Sequence, residues 1–146
     1  MLHNPGASRL THAIKRPSVA CVLNGTNFAA LNGLPLNTLI TLNFWQSACP
    51  EEKASAAFAW LRDFRFTPFM RRPLKRLGIK GVQPTYVWAL ENPSGVHGHW
   101  LVHVPEERKD IFAERLPLWF AEVTGGAVPE GALHIREAHN LSLIHI

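Results

Sequence analysis

The stretch GVHGHWLVHVP (95–105) places His97, His99 and His103 within seven residues of a chain that has eight histidines in all. Alternation along an extended strand sends His97, His99, Leu101 and His103 to one face and Gly98, Trp100, Val102 and Val104 to the other. His97 and His99 are then next-nearest neighbours whose imidazoles can converge on one ion. Glu91 closes the preceding apolar run and brings a carboxylate to the mouth of the same hairpin. Two imidazoles and a carboxylate with open positions suit a divalent ion acting as a Lewis acid on a phosphate oxygen. The competing reading is of half-buried strand histidines satisfied by ordinary hydrogen bonds. Register decides whether the mixed set can form. A five-residue turn (92–96) pairs Glu91 with His97 on one face, whereas a four-residue turn pairs Glu91 with Val96 and sets Leu90 against His97. His103 lies about 13 Å from His99 by strand rise and is expected in the core or toward a substrate, outside the ligand set.

The elements that must hold these residues follow from pattern. TLITLNFW (38–45) is β-branched and aromatic and predicts a strand. PEEKASAAFAWLRDFRF (50–66) predicts a helix, with Pro50 at its start, Glu51 and Glu52 in the first turn, and Phe58, Leu61 and Phe64 on one face. TPFMRRPLKRLGIKG (67–81) reads as a basic connector. PTYVWALE (84–91) and VHGHWLVHV (96–104) flank the turn residues NPSG and predict a hairpin. EERKDIFAERLPLWFAEV (106–123) predicts a second helix with Ile111, Phe112, Leu116, Trp119 and Phe120 inward. Pro117 should bend or interrupt that helix, the charged residues of 106–115 should form a solvated face, and TGG should end it. ALHIR (132–136) is a candidate fourth strand. The order βαββαβ predicts an α+β fold, an antiparallel sheet with helices packed on one face and Trp100 beneath a helix. Residues 1–35 show no sustained period and are expected to be a poorly ordered lead-in to a domain over 36–140.

Composition sets the outer bounds. At 146 residues, 47% hydrophobic and 18% charged, the chain has the make-up of one globular domain and not of a disordered segment. A net charge of +4 agrees with a polyanionic partner. Cys21 and Cys49 form no pair at metal-binding spacing, which points to a reducing cytoplasm. No run approaches the roughly 20 apolar residues of a membrane span, so no membrane partner is expected. FRFTPFMRRPLKRLGIK (64–80) interleaves Phe64, Phe66 and Phe69 with Arg65, Arg71, Arg72, Lys75, Arg76 and Lys80, just after Arg62. The phenylalanines are read as core. Arg65, Arg71, Arg72, Lys75 and Arg76 are the candidate DNA contacts, since cations neutralise phosphates.

PLNTLITLNFW, then PTYVWALENPSGVHGHWLVHVP, then a helix ending in TGG, resemble the HUH-type rolling-circle replication initiators of bacterial plasmids and phages, over about residues 34–140. The resemblance implies a tyrosine that attacks a DNA phosphodiester, leaving a 5′-phosphotyrosine and a free 3′-hydroxyl. It implies Mg²⁺ or Mn²⁺ on His97 and His99, with Glu91 as third ligand, and single-stranded DNA at a replication origin as substrate. A host helicase would be a partner of the whole protein. Two residues depart from the pattern: Gly98 stands where a bulky hydrophobe belongs, and no tyrosine follows the histidines. The single tyrosine, Tyr86, precedes them and is read as core. The terminal LSLIHI (141–146) matches one reading frame of a sequencing adapter, so the chain is read as an N-terminal fragment, inactive in nicking, of a longer endonuclease. The alternative is a non-catalytic single-stranded nucleic-acid-binding module on the same sheet, which would set aromatics such as Tyr86 or Trp88 among the histidines. A metal enzyme unrelated to DNA, using His97, His99 and His103, leaves the basic connector unexplained.

Overall fold

The computed structural model describes residues 10–11, 16–92 and 95–138; segments 1–9, 12–15, 93–94 and 139–146, the last including the adapter-like tail, lie outside the described residues. The four period-two segments form strands β2 (Thr38–Leu42), β3 (Tyr86–Glu91), β4 (His97–Val102) and β5 (Leu133–Glu137). They build an antiparallel sheet in the order β3-β4-β2-β5. Two elements stand within the expected lead-in: a short strand β1 (Leu10–Thr11), parallel to β3 at its edge, and helix α1 (Arg16–Leu31). The chain order is therefore βαβαββαβ, longer than the expected βαββαβ by that leading pair.

Alternation on the strands assigns the two sheet faces. Ile40, Leu42, Leu90, Trp100 and Val102 point to one side, where they meet Phe58, Leu61, Phe66 and Met70 and, from the last helix, Phe112, Leu116 and Phe120. Trp100 is fully buried there, edge-on to Phe58 at 5.0 Å and to Phe66 at 4.7 Å between ring centroids. Each such side chain removed from water contributes about 1.5–3 kcal/mol, so this side dominates the stability of the fold. Leu39, Leu101 and Val87 point the other way, and α1 covers them through Ala29. A Cβ on Gly25 would lie 3.1 Å from Val87 Cγ1, which shows how closely α1 approaches β3. The expectation of helices on one face alone is thus corrected: three outward apolar side chains needed a cover, and α1 supplies it.

The first core helix is longer and less regular than predicted. α2 (Ala54–Leu61) passes through a π turn (Arg62–Phe66) into α3 (Thr67–Arg71), taking in residues read as connector. The π turn adds one residue, so the inward sequence after Leu61 becomes Phe66, Phe69 and Met70, and Phe64 is turned out at 59% exposure. This overturns the placing of Phe64 with Phe58 and Leu61. Pro68 has no N–H to give the Phe64 carbonyl, and Arg65 Nη1 donates to that oxygen instead at 3.0 Å. α4 (Lys109–Thr124) runs through Pro117 without interruption. Arg108 at its start corrects the reading of 106–115 as wholly solvated: it is fully buried, with Nη1 donating to Phe69 O (2.6 Å) and Nη2 to Arg72 O (2.7 Å) and Lys80 O (2.9 Å). Carbonyls at the end of α3 lack helical partners, and this guanidinium satisfies them. Among the described residues no helix is long and apolar enough to cross a membrane, and Cys49 is a free thiol.

Candidate metal centre

The hairpin closes on the five-residue turn. Glu91 pairs with His97, Leu90 with Gly98 and Ala89 with His99. Glu91, His97 and His99 therefore project from the same side of adjacent strands, the side that also carries Leu39, Leu101 and Val87. Each offers one ligand atom, and these atoms all lie within 4.8 Å of one another. Glu91 Oε2 is 3.4 Å from His97 Nε2 and 3.5 Å from His99 Nε2. Those spacings exceed the 2.7–2.9 Å or so of a charge-assisted hydrogen bond. They are close to the separation of two ligands that each stand about 2.1 Å from one ion, roughly 3.0 Å in octahedral and 3.4 Å in tetrahedral geometry. Glu91 is only 7% exposed, and a carboxylate that deep calls for a compensating charge. The donor set fits a divalent ion.

Neighbours orient both rings. His97 Nδ1 lies 3.1 Å from the Gly95 carbonyl, to which it can donate, leaving Nε2 with its lone pair toward Glu91. Gly95 holds φ at +113°, and a Cβ there would come within 2.6 Å of the Trp45 side chain, so the turn that aims this carbonyl requires glycine. Gly95 N–H donates to Asn92 Oδ1 at 3.1 Å, and Asn92 Nδ2 donates to Glu51 Oε1, which ties the turn to the start of the core helices. His99 Nδ1 is 3.5 Å from Thr41 Oγ1, a long contact from the neighbouring strand. Burial lowers the His99 pKa from the ordinary histidine value; Glu91 opposes this, while His97 and Arg136 reinforce it. Neutral imidazole is the form that ligates metal.

The remaining predicted residues fall elsewhere. His103 is buried with Nδ1 2.8 Å from Pro35 O and is no member of the cluster, which removes the support for a three-histidine ligand set. Gly98 faces the core, where a Cβ would meet Leu90 Cδ2 at 3.1 Å and the Phe44 ring at 3.8 Å; neighbours fill the space that a bulky motif residue would take. Tyr86 points to the helical side of the sheet, against Phe66 and Trp100. Arg65 is paired through both oxygens of Glu122, at 2.7 and 2.6 Å, and its guanidinium lies 4.5 Å from the Trp60 ring centroid. Arg71, Arg72, Lys75 and Arg76 are exposed on the end of α3 and the loop after it. That loop leads into β3 at Tyr86, five residues or about 17 Å from Glu91 along the strand. None of these candidate DNA contacts is a member of the Glu91–His97–His99 cluster.

Two residues that do share its face were not picked out from sequence. His134 pairs with Thr41 across β2, and Arg136 lies two residues further along β5, both exposed. The alternation of ALHIR, with Leu133 and Ile135 packed on the core, carries the signal. It acquires meaning only once β5 is known to lie beside β2. Comparison of the chain with protein-family models, curated proteins and solved structures gave no match.

Proposed function

We propose that this sheet carries the metal-binding half of a phosphodiester-transfer site for single-stranded DNA, of the HUH replication-initiator type, with Mg²⁺ or Mn²⁺ held by Glu91, His97 and His99. The observation that carries the reading is the Glu91–His97 register, which gathers a buried carboxylate and two imidazole nitrogens within 4.8 Å of one another. When bound, such an ion would polarise a scissile phosphate oxygen. Glu91 supplies the balancing negative charge, and His97 and His99 supply nitrogen lone pairs. The Gly95 carbonyl orients the His97 ring, and the Thr41 hydroxyl stands 3.5 Å from His99 Nδ1. A replication origin as the DNA, a host helicase as partner and a cytoplasmic setting follow from the same reading.

Tyr86 is the only tyrosine and faces away from the cluster. The attacking tyrosine of the proposed reaction therefore lies outside this sequence. Incubated with Mn²⁺ and labelled single-stranded DNA, this chain is expected to form no 5′-phosphotyrosine, and a labelled covalent adduct would overturn that assignment. The alternative of a stacking platform has less support. Tyr86 and Trp88 pack against Phe66 and Phe58, and the described residues of β2–β5 on the histidine face include no Phe, Trp or Tyr.

Thermal melting with and without Mn²⁺ tests the reading. Saturation at about 100 times the dissociation constant should stabilise the parent by roughly 2.7 kcal/mol, and the His97→Ala/His99→Ala double variant should show no shift. A folded parent whose melting temperature is indifferent to Mn²⁺ and Mg²⁺ returns the histidines to a structural role.

A further inference from the structure

The Glu91–His97–His99 cluster occupies β3 and β4, and the same sheet face continues across Thr41 of β2 to His134 and Arg136 of β5. His99 and His134 are both register partners of Thr41, which puts their Cα atoms about 10 Å apart, two strand spacings. Arg136 is displaced by two further residues, level with Leu39 and Leu101 on the side of His99 away from His97, about 12 Å from His99 between Cα atoms. β5 is held in this register by Leu133 and Ile135 on the core and by Glu137, whose carboxylate accepts from Lys109 Nζ at 3.0 Å on the opposite face. Arg136 is exposed and, among the described residues, makes no ion pair.

From this placement we infer that Arg136, flanked by His134, is a phosphate-holding arm that seats a backbone phosphate of single-stranded DNA between β5 and the metal cluster. Arginine suits the role because its fork accepts two phosphate oxygens at once. The Thr41 hydroxyl, midway between His99 and His134, is a further donor on the same path. The inference rests on the function proposed above, and it names Arg136 as a group that positions DNA on the face of the cluster.

The test is anisotropy of a labelled oligothymidylate with the full chain in Mn²⁺, across a salt series, for the parent, Arg136→Gln, Arg136→Lys and Arg76→Gln. Arg136→Gln should bind about tenfold more weakly and flatten the logarithmic salt slope by about 0.7, the value for one phosphate contact on a single strand. Arg136→Lys should keep the slope. Parent-like binding by Arg136→Gln, an equal loss in Arg76→Gln, or no binding by the parent would each overturn the assignment. Melting of the same proteins with Mn²⁺ separates the two ideas. A selective Arg136 effect without any Mn²⁺ shift keeps the phosphate arm and removes the metal, whereas a Mn²⁺ shift with an indifferent Arg136 does the reverse.

Discussion

His97 offers Nε2 to an ion when its proton sits on Nδ1, and the Gly95 carbonyl beside Nδ1 favours that tautomer. Gly95 combines a φ of +113° with contact against Trp45 that leaves no room for a Cβ. Gly95→Ala should therefore weaken Mn²⁺ binding about 10- to 100-fold, the usual cost of losing an outer-shell partner. Titration calorimetry reads this directly, and unchanged affinity would show that the carbonyl does not orient the ring. At the same scale Arg65, one of the cations of the basic stretch, has its charge partner within the chain. Its guanidinium is already bound through both oxygens of Glu122.

At the scale of elements, β4 is asymmetric: its two histidines share the half-buried face that holds Glu91, while Gly98, Trp100 and Val102 face the core helices. Leu90 and Phe44 occupy the space beside Gly98, so a large side chain there would overpack the core. Gly98→Leu should destabilise by about 1–3 kcal/mol, read as a lower urea midpoint at unchanged slope. A neutral outcome would mean that Leu90 and Phe44 move aside easily. The π turn in the first core helix is the other consequential feature. One added residue turns Phe66 inward and leaves Phe64 in solvent, which no uniform helical period reproduces.

Across the whole molecule, Arg108 joins elements that are distant in sequence. From the entry to α4 it donates to carbonyls of Phe69, Arg72 and Lys80, so it pins both ends of the basic loop. Arg108→Met keeps much of the bulk but leaves these carbonyls without their donor, and should cost about 3 kcal/mol or more. Chemical denaturation checks the magnitude. A loss below about 1 kcal/mol would mean that water replaces the guanidinium at little expense. The basic loop it anchors leads into β3 at Tyr86, the opposite end of that strand from Glu91.

Local pattern was enough to place β2 to β5 and the two core helices within a few residues, to put His97 and His99 on one face, and to set Trp100 and Tyr86 among the aromatics. Alternation and helical period are properties of near neighbours, and near neighbours are adjacent in the chain. The rest depended on contacts between residues far apart in sequence. A single residue of turn length decided whether Glu91 or Leu90 would stand against His97, and both versions satisfy the strand pattern equally. Covering the apolar half of the histidine face required α1 to approach β3 closely, in a segment without a clear period. Burying Arg108 required three carbonyls from another helix and loop. Arg136 came to share a surface with His99 because β5 pairs with β2, and nothing within ALHIR specifies which strand lies next to it.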